Sequence, residues 1–489
     1  MFDFELPQKF RRYVPLAAWM VVGLALLFIP LKIIECGYLP GDDALRHCAK
    51  AVSGKPWTEI IIVGDIFKID HNLGWHGILG ALHHAFNWDA ESLMIFSVVA
   101  LFLVINAALL PWLKRPEAWL VVLLAAMIIS DLPQRWLLGR PFILTSTAMM
   151  TVLFMAQNRL PNLKSFLPCA AMIGACTFIH GVWYLWLLPI VAIFFAGKFR
   201  WSAMLAVAWL LGTGFSMMAS GHPADYLMHA TGMAVHGVND HLSTRSEVTE
   251  LQPFGGDILA VILFGAVVAL RAATRPGALS LTKIPAFWLM CGCWILSFRV
   301  SRFWEDWGWP ALMVLVVTEM DFLFVAKFAE DSFRRLLLVL ILALAAFLAV
   351  TCDLNGRYTR SLTWQFLSVA EHPELDGWMP GKGGILYSPD MGIFYQTFYK
   401  NPTANWRYML GYEPALMPPD DFKTYQNIVW NNGDAKAYEP WVNKMKPADR
   451  LVLRAGKNER PNIPQLEWNY GVSGIWIGRT PKTQMPKAE

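Results

Sequence analysis

The chain contains 489 residues, of which 55% are hydrophobic and only 16% are charged. Soluble domains usually carry about 25% charged residues, so this composition excludes an ordinary soluble enzyme. The formal net charge is only +4 and the basic residues are confined to loops, so we expect no nucleic-acid partner. Apolar runs recur as far as Thr351 and then stop, which predicts a polytopic membrane protein with a soluble C-terminal region.

The apolar runs predict about eleven transmembrane helices. The first run, 13–34, follows a basic cluster and lacks a small-residue cleavage site, so we interpret it as a retained membrane helix. The others are 93–113, 118–132, 142–155, 166–179, 182–196, 201–218, 258–270, 287–298, 310–326 and 336–351. Several are shorter than about 17 residues, which leaves re-entrant segments open as an alternative.

The basic residues of the loops predict which side of the membrane each loop faces. Lysine and arginine accumulate in every second loop, beginning with Lys9, Arg11 and Arg12. Because basic loops stay on the cytoplasmic side, we expect a multi-pass protein of the inner (plasma) membrane with a cytoplasmic N-terminus. The opposite loops, among them 36–92 and 219–257, are then outer loops in the periplasm or cell exterior. These loops hold all 11 histidines, so we expect the chemistry on that face.

The chain changes character after Cys352, where prolines and glycines punctuate short mixed segments. We therefore predict two domains, a transmembrane domain over 1–352 and a small extracytoplasmic α+β domain over 353–489. The predicted fold class is a polytopic α-helical membrane protein with this C-terminal domain. The patterns predict strands at 384–387, 450–454 and 474–478 and helices at 420–428 and 438–445.

The strongest local signal lies in the first outer loop. Pro40 and Gly41 predict a turn, and the following pattern predicts a helix over 43–52 that opens on Asp42 and Asp43. An aspartate pair in this position is often only a helix cap with a favourable dipole charge. A second acid is unnecessary for capping, however, so Asp43 is a candidate catalytic carboxylate, as a general base or a metal ligand, with Asp42 beside it.

The helix over 43–52 has an apolar face, so we expect it to lie along the membrane interface with Arg46 and Lys50 directed at lipid phosphates. A second amphipathic helix is expected around 77–84. Cys36 and Cys48 bracket the aspartate pair on the side that is expected to be oxidising. A disulfide between them would hold the pair in place, and two separate thiols are the alternative.

Asp70, His71 and His76 precede the second amphipathic helix and are possible metal ligands. Their spacing does not match a known metal motif, so structural hydrogen bonding is the favoured alternative. The long outer loop 219–257 carries four further histidines and is a candidate lid or acceptor-binding segment. We expect no catalytic role for any one of its histidines.

Two short outer loops, 131–141 and 299–309, are dense in arginine and tryptophan. Tryptophan at this depth usually forms an aromatic belt and arginine usually snorkels to the interface. Glu305 and Asp306 could instead neutralise the arginines in a structural cluster. The other alternative is a clamp on a phosphate or pyrophosphate, because the planar guanidinium matches two oxygens at once. The candidate phosphate-binding residues are Arg135, Arg140, Arg299 and Arg302.

The order of these elements resembles the GT-C superfamily of glycosyltransferases. A first span is followed by an outer loop in which Asp42-Asp43-Ala44 opens a juxtamembrane helix, then by many spans and an extracytoplasmic tail. The superfamily includes oligosaccharyltransferases, aminoarabinose transferases and protein mannosyltransferases. In oligosaccharyltransferases, an aspartate followed by a small residue in the first outer loop is functional, and Asp43-Ala44 looks like it. The tail has no W-W-D-Y-G-type motif, so the resemblance does not extend to asparagine-linked glycosylation.

The resemblance implies a polyprenyl-phosphate-linked sugar donor and inverting transfer to an extracytoplasmic lipid, glycan or protein. Asp43 would be the base or metal-holding acid, and the four arginines would bind the donor phosphate. A divalent metal, magnesium or manganese, is a possible cofactor. The candidate substrate-binding residues are Arg46, His76 and Glu305. The rival interpretation is a non-enzymatic transporter or flippase, or an assembly subunit, for lipid-linked precursors.

Overall fold

The computed structural model describes residues 7–64, 69–128, 132–239, 249–254, 256–275 and 280–481. The chain divides into two compact units. Unit 1 consists of Met1–Tyr38, Phe96–Pro223 and Glu250–Thr359, and unit 2 consists of Leu39–Ile95, Ala224–Thr249 and Arg360–Glu489. The predicted boundary at residue 352 placed the first long loop with the transmembrane domain. The structure instead groups that loop with the C-terminal region.

The helices and strands are numbered here in chain order. The α-helices are α1 (Gln8–Arg11), α2 (Val14–Glu35), α3 (Asp43–Ser53), α4 (Trp57–Ile60), α5 (Leu73–Phe86), α6 (Ala90–Ala107), α7 (Glu117–Ile128), α8 (Leu132–Trp136), α9 (Phe142–Asn158), α10 (Leu163–His180), α11 (Leu187–Phe195), α12 (Phe199–Ala219), α13 (Pro223–Asn239), α14 (Ile258–Thr274), α15 (Pro285–Ser297), α16 (Trp309–Lys327), α17 (Phe333–Thr351), α18 (Met391–Lys400), α19 (Pro419–Trp430) and α20 (Glu439–Lys444). A π-helix, Trp304–Gly308, precedes α16. The strands are β1 (Ile385–Tyr387), β2 (Arg407–Tyr408), β3 (Arg450–Arg454), β4 (Glu467–Tyr470) and β5 (Ile475–Arg479).

Unit 1 contains the apolar helices, except that the first residues of α6, up to Ile95, belong to unit 2. Six helical stretches in the part of the chain that the structure describes are long and apolar enough to cross a membrane: Val14–Glu35, Ala90–Trp112, Leu163–His180, Phe199–Ala219, Trp304–Lys327 and Phe333–Thr351. Shorter apolar helices are Glu117–Met127, Phe142–Asn158, Trp183–Phe195, Ile258–Thr274 and Pro285–Ser297. Every predicted apolar run thus coincides with an apolar helix. The number of actual crossings, about eleven, stays a prediction because five of these helices are short for a bilayer.

Small residues allow the helices of unit 1 to approach closely. A Cβ atom added to Gly212 in α12 would lie 2.8 Å from the backbone nitrogen of Gly174 in α10. Next to this contact, the hydroxyl groups of Thr177 and Ser216 are 2.8 Å apart and form a hydrogen bond. Close approach through small residues and a polar contact between helices is typical of membrane helix packing.

Unit 2 is built on a five-stranded mixed sheet with the strand order β2-β1-β3-β5-β4. β1 pairs in parallel with β2 and β3, whereas β5 pairs antiparallel with β3 and β4. The predicted strands at 384–387, 450–454 and 474–478 and the predicted helices at 420–428 and 438–445 are confirmed within a residue or two. The C-terminal α+β region is therefore correctly predicted from local pattern.

The first long loop extends the edge of this sheet. Ile61 forms a parallel bridge with Tyr408 of β2, and the backbone amide of Ile62 donates to the Tyr408 carbonyl at 2.8 Å. A Cβ atom on Gly411 would lie 3.0 Å from two carbon atoms of Ile61, so glycine leaves the space that this contact needs. The loop is consequently held to the sheet by backbone hydrogen bonds as well as by side chains.

The loop also contributes to the hydrophobic core of unit 2. Trp57, Ile60 and Ile61 are 4%, 2% and 1% exposed and belong to the same buried cluster as Leu386 of β1 and Phe398 of α18. Burying such side chains removes a large apolar area from water. For an isoleucine, full burial stabilises the folded state by about 1.5–3 kcal/mol. The placement of α3 and α5 therefore depends on the same core that stabilises the sheet.

We expect Ile61→Ala to destabilise unit 2 by about 2–4 kcal/mol, because it deletes a buried side chain and leaves a cavity. Hydrogen exchange at β1 and β3, measured on the full chain in lipid nanodiscs, should become faster. The matched control is Ile78→Ala, since Ile78 lies in α5 of the same unit and is 38% exposed. Equal exchange in the two variants would contradict a shared core.

Candidate functional site

The aspartate pair lies at the start of α3, as the sequence predicts. Asp42 occupies the N-cap position but its side chain forms no capping hydrogen bond, and Asp43 is the first helical residue. The helix ends at Gly54, whose positive φ of 63° is the left-handed conformation that glycine adopts readily. Hydrogen-bonded capping thus does not account for Asp42, and Asp43 stands at the positive end of the helix dipole.

Asp43 is paired with an arginine one turn further along α3. The Nε atom of Arg46 donates to Oδ1 of Asp43 at 2.7 Å. The Arg46 side chain is 6% exposed and the Asp43 side chain is 24% exposed, so the carboxylate is reachable while its partner is buried. Burial lowers the pKa of Arg46, but the charge of Asp43 and its hydrogen bond outweigh this effect and the net pKa is raised. The pair is therefore ionic.

The burial of α3 corrects the expected interfacial position of this helix. Four apolar residues of this helix are 0% exposed, namely Ala44, Leu45, Cys48 and Ala49. Arg46, counted with its backbone, is 5% exposed. The Arg46 guanidinium lies 3.9 Å from the ring centroid of Tyr412, a cation–π contact. Arg46 therefore faces protein rather than lipid phosphates, because its charge is satisfied by a carboxylate and an aromatic ring.

Next to this pair lies a buried chain of three titratable residues. His76 Nδ1 and Asp70 Oδ2 are 2.5 Å apart, and His76 Nε2 and His47 Nδ1 are 2.8 Å apart. An ionised aspartate only accepts hydrogen bonds, so His76 Nδ1 carries a proton that it donates to Asp70. When His76 is neutral, its Nε2 must accept, and His47 donates from Nδ1. The expected structural hydrogen bonding of Asp70 and His76 is therefore confirmed.

Burial controls the protonation of this Asp70–His76–His47 chain. Burial lowers the pKa of His47 well below its usual range, and the positive charge of Arg46 lowers it further. Burial likewise lowers the pKa of His76, although Asp70 opposes the change. Burial would raise the pKa of Asp70, but the contact with His76, the hydrogen bond from the Asn72 backbone and the charge of Lys50 together outweigh burial and lower it. The favoured state at neutral pH is thus an ionised Asp70 with two neutral imidazoles.

Aromatic residues that sequence reasoning missed enclose these groups. Trp57 packs against Tyr412 and His76 with ring centroids 4.9 and 5.8 Å apart. Lys50, which was expected to face lipid, lies 5.8 Å from the Trp57 ring, and burial lowers its pKa. Trp57 and Tyr412 are far apart in sequence and belong to no motif. Only the tertiary structure brings them to α3.

The residues present do not form a metal site in the part of the chain that the structure describes. No group of three or more histidine, cysteine, aspartate or glutamate side chains is placed there to hold a metal ion. Asp43 is committed to Arg46, and Asp70 to His76. A divalent metal therefore stays a prediction from the resemblance, and no chemical step is derived through it.

The predicted disulfide is corrected by the structure, which has thiols at both Cys36 and Cys48. Cys48 lies on the fully buried side of α3, 0% exposed, whereas Cys36 is the residue after the last turn of α2.

Unit 1 contains a second cluster of charged residues, in which arginines from two loops meet carboxylates. We call it the arginine–carboxylate cluster, and its members are Arg135, Arg140, Arg302, Glu250, Glu305 and Asp306. Glu305 and Asp306 lie in the π-helix, a conformation frequent at functional sites. A Cβ atom on Gly308 would lie 2.3 Å from the Trp304 ring, so this turn requires glycine.

The ion pairs of this cluster are close. Arg135 contacts Asp306 Oδ1 at 2.5 Å, Glu305 Oε2 at 2.7 Å and Glu250 Oε1 at 3.3 Å. Arg140 contacts the same oxygen of Glu250 at 2.7 Å. Arg302 contacts Asp306 Oδ2 at 3.0 Å. The structure thus brings together three of the four predicted phosphate-binding arginines, and it pairs them with the carboxylates that were the structural alternative.

Two predicted positions remain. Arg299 is exposed. In the candidate lid, α13 covers Pro223–Asn239, but His241 and its neighbours lie outside the described residues, so the lid assignment stays a prediction.

Comparison with known proteins identifies the fold. No family model and no curated protein matches this chain. Among solved structures, it is similar to the oligosaccharyltransferase of Archaeoglobus fulgidus in the apo form, with a TM-score of 0.52, 12% identity, and coverage of 98% of this chain and 76% of the other. The same enzyme tethered to an acceptor peptide containing the NVT sequon gives a TM-score of 0.50, 13% identity, and the same coverage. Over 98% of its length, the chain therefore shares the overall fold of these two oligosaccharyltransferase structures.

Acidification is expected to destabilise unit 2 through its buried imidazoles. A histidine whose folded pKa is lowered takes up a proton more readily when unfolded, so its contribution to stability is present above about pH 6.5 and is lost as the pH falls. The thermal unfolding midpoint should fall between pH 7.5 and 5.5, by roughly 2–4 °C per kcal/mol lost. His47→Gln should reduce this dependence on pH. His372→Gln, at an outer position of the same unit, should leave it unchanged, and equal slopes in all three proteins would contradict the assignment.

Proposed function

We propose that the chain is a glycosyltransferase that moves a sugar from a polyprenyl-phosphate-linked donor to an extracytoplasmic acceptor. The observation that carries the proposal is a reachable carboxylate, Asp43, held by Arg46 at the start of a buried helix within a GT-C-like fold. This is the position at which the resemblance expects a functional aspartate. The acceptor is a lipid, a glycan or a protein, and the membrane places the prenyl chain of the donor in lipid.

The proposed chemistry assigns one task to each cluster. Asp43 accepts the proton of the acceptor nucleophile as that nucleophile attacks the anomeric carbon, and the bond from this carbon to the phosphate oxygen breaks. The displacement is direct, so the anomeric configuration inverts. Arg135, Arg140 and Arg302 stabilise the negative charge of the departing phosphate, and Arg299 is the fourth candidate.

Arg46 and His76 act in this proposal through Asp43 and α3. The Nε–H of Arg46 fixes the orientation of the Asp43 carboxylate. His76 anchors the buried side of α3 through its contact with His47. Both were candidate substrate-binding residues, and their burial supports a positioning role instead.

The alternative function is transport, flipping or assembly of lipid-linked precursors. A transporter usually keeps ionisable groups at mid-membrane depth for its substrate or coupling ion. Glu319 and Asp321 are the acids of α16 that could serve in this way. Asp321 Oδ1 accepts a hydrogen bond from the backbone amide of Arg115 at 2.7 Å, and Glu319 lies 2.5 Å from Arg271 of α14. Both side chains are buried, so the pair is better explained as a bond between helices. This pairing favours the glycosyltransferase over the transporter.

The test is transfer of radiolabelled sugar from a set of polyprenyl-phosphate donors by the purified chain in nanodiscs. Asp43→Asn should lower the rate by about 10²–10⁴-fold, the usual contribution of a general base. Because this change also leaves the buried Arg46 without its carboxylate, the rates are compared at a temperature at which a thermal melt shows the variant to be folded. Asp42→Asn is the matched control and should retain most of the activity. Equal activity in both variants would exclude the mechanism. No transfer from any donor by the wild-type chain would favour the transport or assembly alternative.

A further inference from the structure

Among the residues that the structure describes, the six members of the arginine–carboxylate cluster comprise as many carboxylates as guanidinium groups. Three guanidinium groups face three carboxylates, and each of the three arginines lies within 4 Å of at least one carboxylate oxygen. A clamp waiting for phosphate would be expected to hold uncompensated positive charge. This cluster instead has its own anions at the oxygen positions that a phosphate would need.

The three carboxylates are not equally anchored. Asp306 bonds to both Arg135 and Arg302 and its side chain is 6% exposed. Glu250 contacts all three arginines and is 16% exposed. Glu305 pairs with one arginine, Arg135, at 2.7 Å, has a further side-chain hydrogen bond with Ser301, and is 31% exposed. The carboxylate with a single arginine partner and the greatest exposure can leave that arginine at the lowest cost.

We propose that Glu305 occupies the position of the donor phosphate and is displaced when the donor binds, which selects a donor with a single negative charge. This inference rests on the proposed function. Release of Glu305 exposes the Nη1 edge of Arg135, and the phosphodiester of a polyprenyl-phosphate sugar restores the charge that was lost. The other two carboxylates stay in place and keep the three arginines oriented.

Charge counting gives the selectivity. A phosphate-linked donor carries one negative charge and exchanges with one carboxylate without changing the net charge of the cluster. A pyrophosphate-linked donor carries two, so it leaves an additional negative charge beside Glu250 and Asp306. An uncompensated charge in a partly buried site is costly. The cluster therefore favours a monophosphate linkage over a pyrophosphate linkage.

The inference can be tested without knowing the sugar. The probes are farnesyl methyl phosphate, a diester with one negative charge, and farnesyl methyl pyrophosphate, which has two. Binding is measured in nanodiscs of zwitterionic lipid at low salt, where electrostatic differences are not screened. The wild-type chain should bind the phosphate diester more tightly. Glu305→Gln should tighten binding of both probes, about tenfold for the diester and more for the pyrophosphate, so that the preference shrinks.

Two variants serve as controls. Glu330→Gln removes a carboxylate of the same length in unit 1 that is 67% exposed, and it should leave both affinities unchanged. Asp306→Asn removes an anchoring carboxylate, so it should lower the thermal midpoint without the gain in affinity. If the wild-type chain binds the probes but Glu305→Gln leaves the affinities unchanged or weakens them, Glu305 is structural and the inference is wrong. If no protein binds either probe, both the inference and the donor assignment fall.

Discussion

The burial of Trp57, Ile60 and Ile61 in the core of the C-terminal sheet is the constraint on which the candidate site depends. These residues come from the first long loop, and their neighbours in the core come from β1, β3 and α18. The pairing of Ile61 with Tyr408 adds backbone hydrogen bonds to this packing. Without these contacts, the conformational entropy of a long loop between two apolar helices would favour many backbone conformations over a single one. The sheet therefore holds α3, and with it Asp43, in a single position, so the loop and the C-terminal region act as one folding unit.

The two clusters handle buried charge in different ways. In unit 2, Arg46 and Asp43 form one ion pair, and the negative charge of the nearby Asp70 is stabilised by hydrogen bonds from His76 and from the backbone of Asn72. Two imidazoles stay uncharged there because burial makes protonation unfavourable. In unit 1, by contrast, six full charges are balanced across several partners. A network of this kind tolerates the exchange of one anion for another, whereas an isolated buried pair does not.

The sequence predicts elements well and contacts poorly, for reasons that particular residues illustrate. The apolar runs, the helix at Asp43 and the strand at 450–454 follow from local periodicity and turn chemistry, and all are confirmed. The amphipathic pattern places Arg46 on the polar face of α3, and that pattern is compatible with either lipid phosphate or protein as its partner. The expectation of lipid phosphate was therefore wrong. Tyr412 and Trp57 decide between them, and no local pattern connects residues so far apart. For the same reason, the proximity of Cys36 and Cys48 in sequence suggested a disulfide, whereas the structure has thiols at both positions.

The pairing of Arg46 with Asp43 has a chemical consequence for the proposed base. A guanidinium on one oxygen stabilises the ionised form of the carboxylate. The carboxylate is therefore available to accept a proton at neutral pH, but the free energy released by its protonation is smaller. Such a base contributes by orientation as well as by proton affinity, because Nε–H of Arg46 fixes the plane of the carboxylate. Orientation of this kind can supply a large part of a rate enhancement. The buried Asp70–His76–His47 chain adds a second anchor, because it ties His47, one turn after Asp43 in α3, to His76 of α5 and to Asp70.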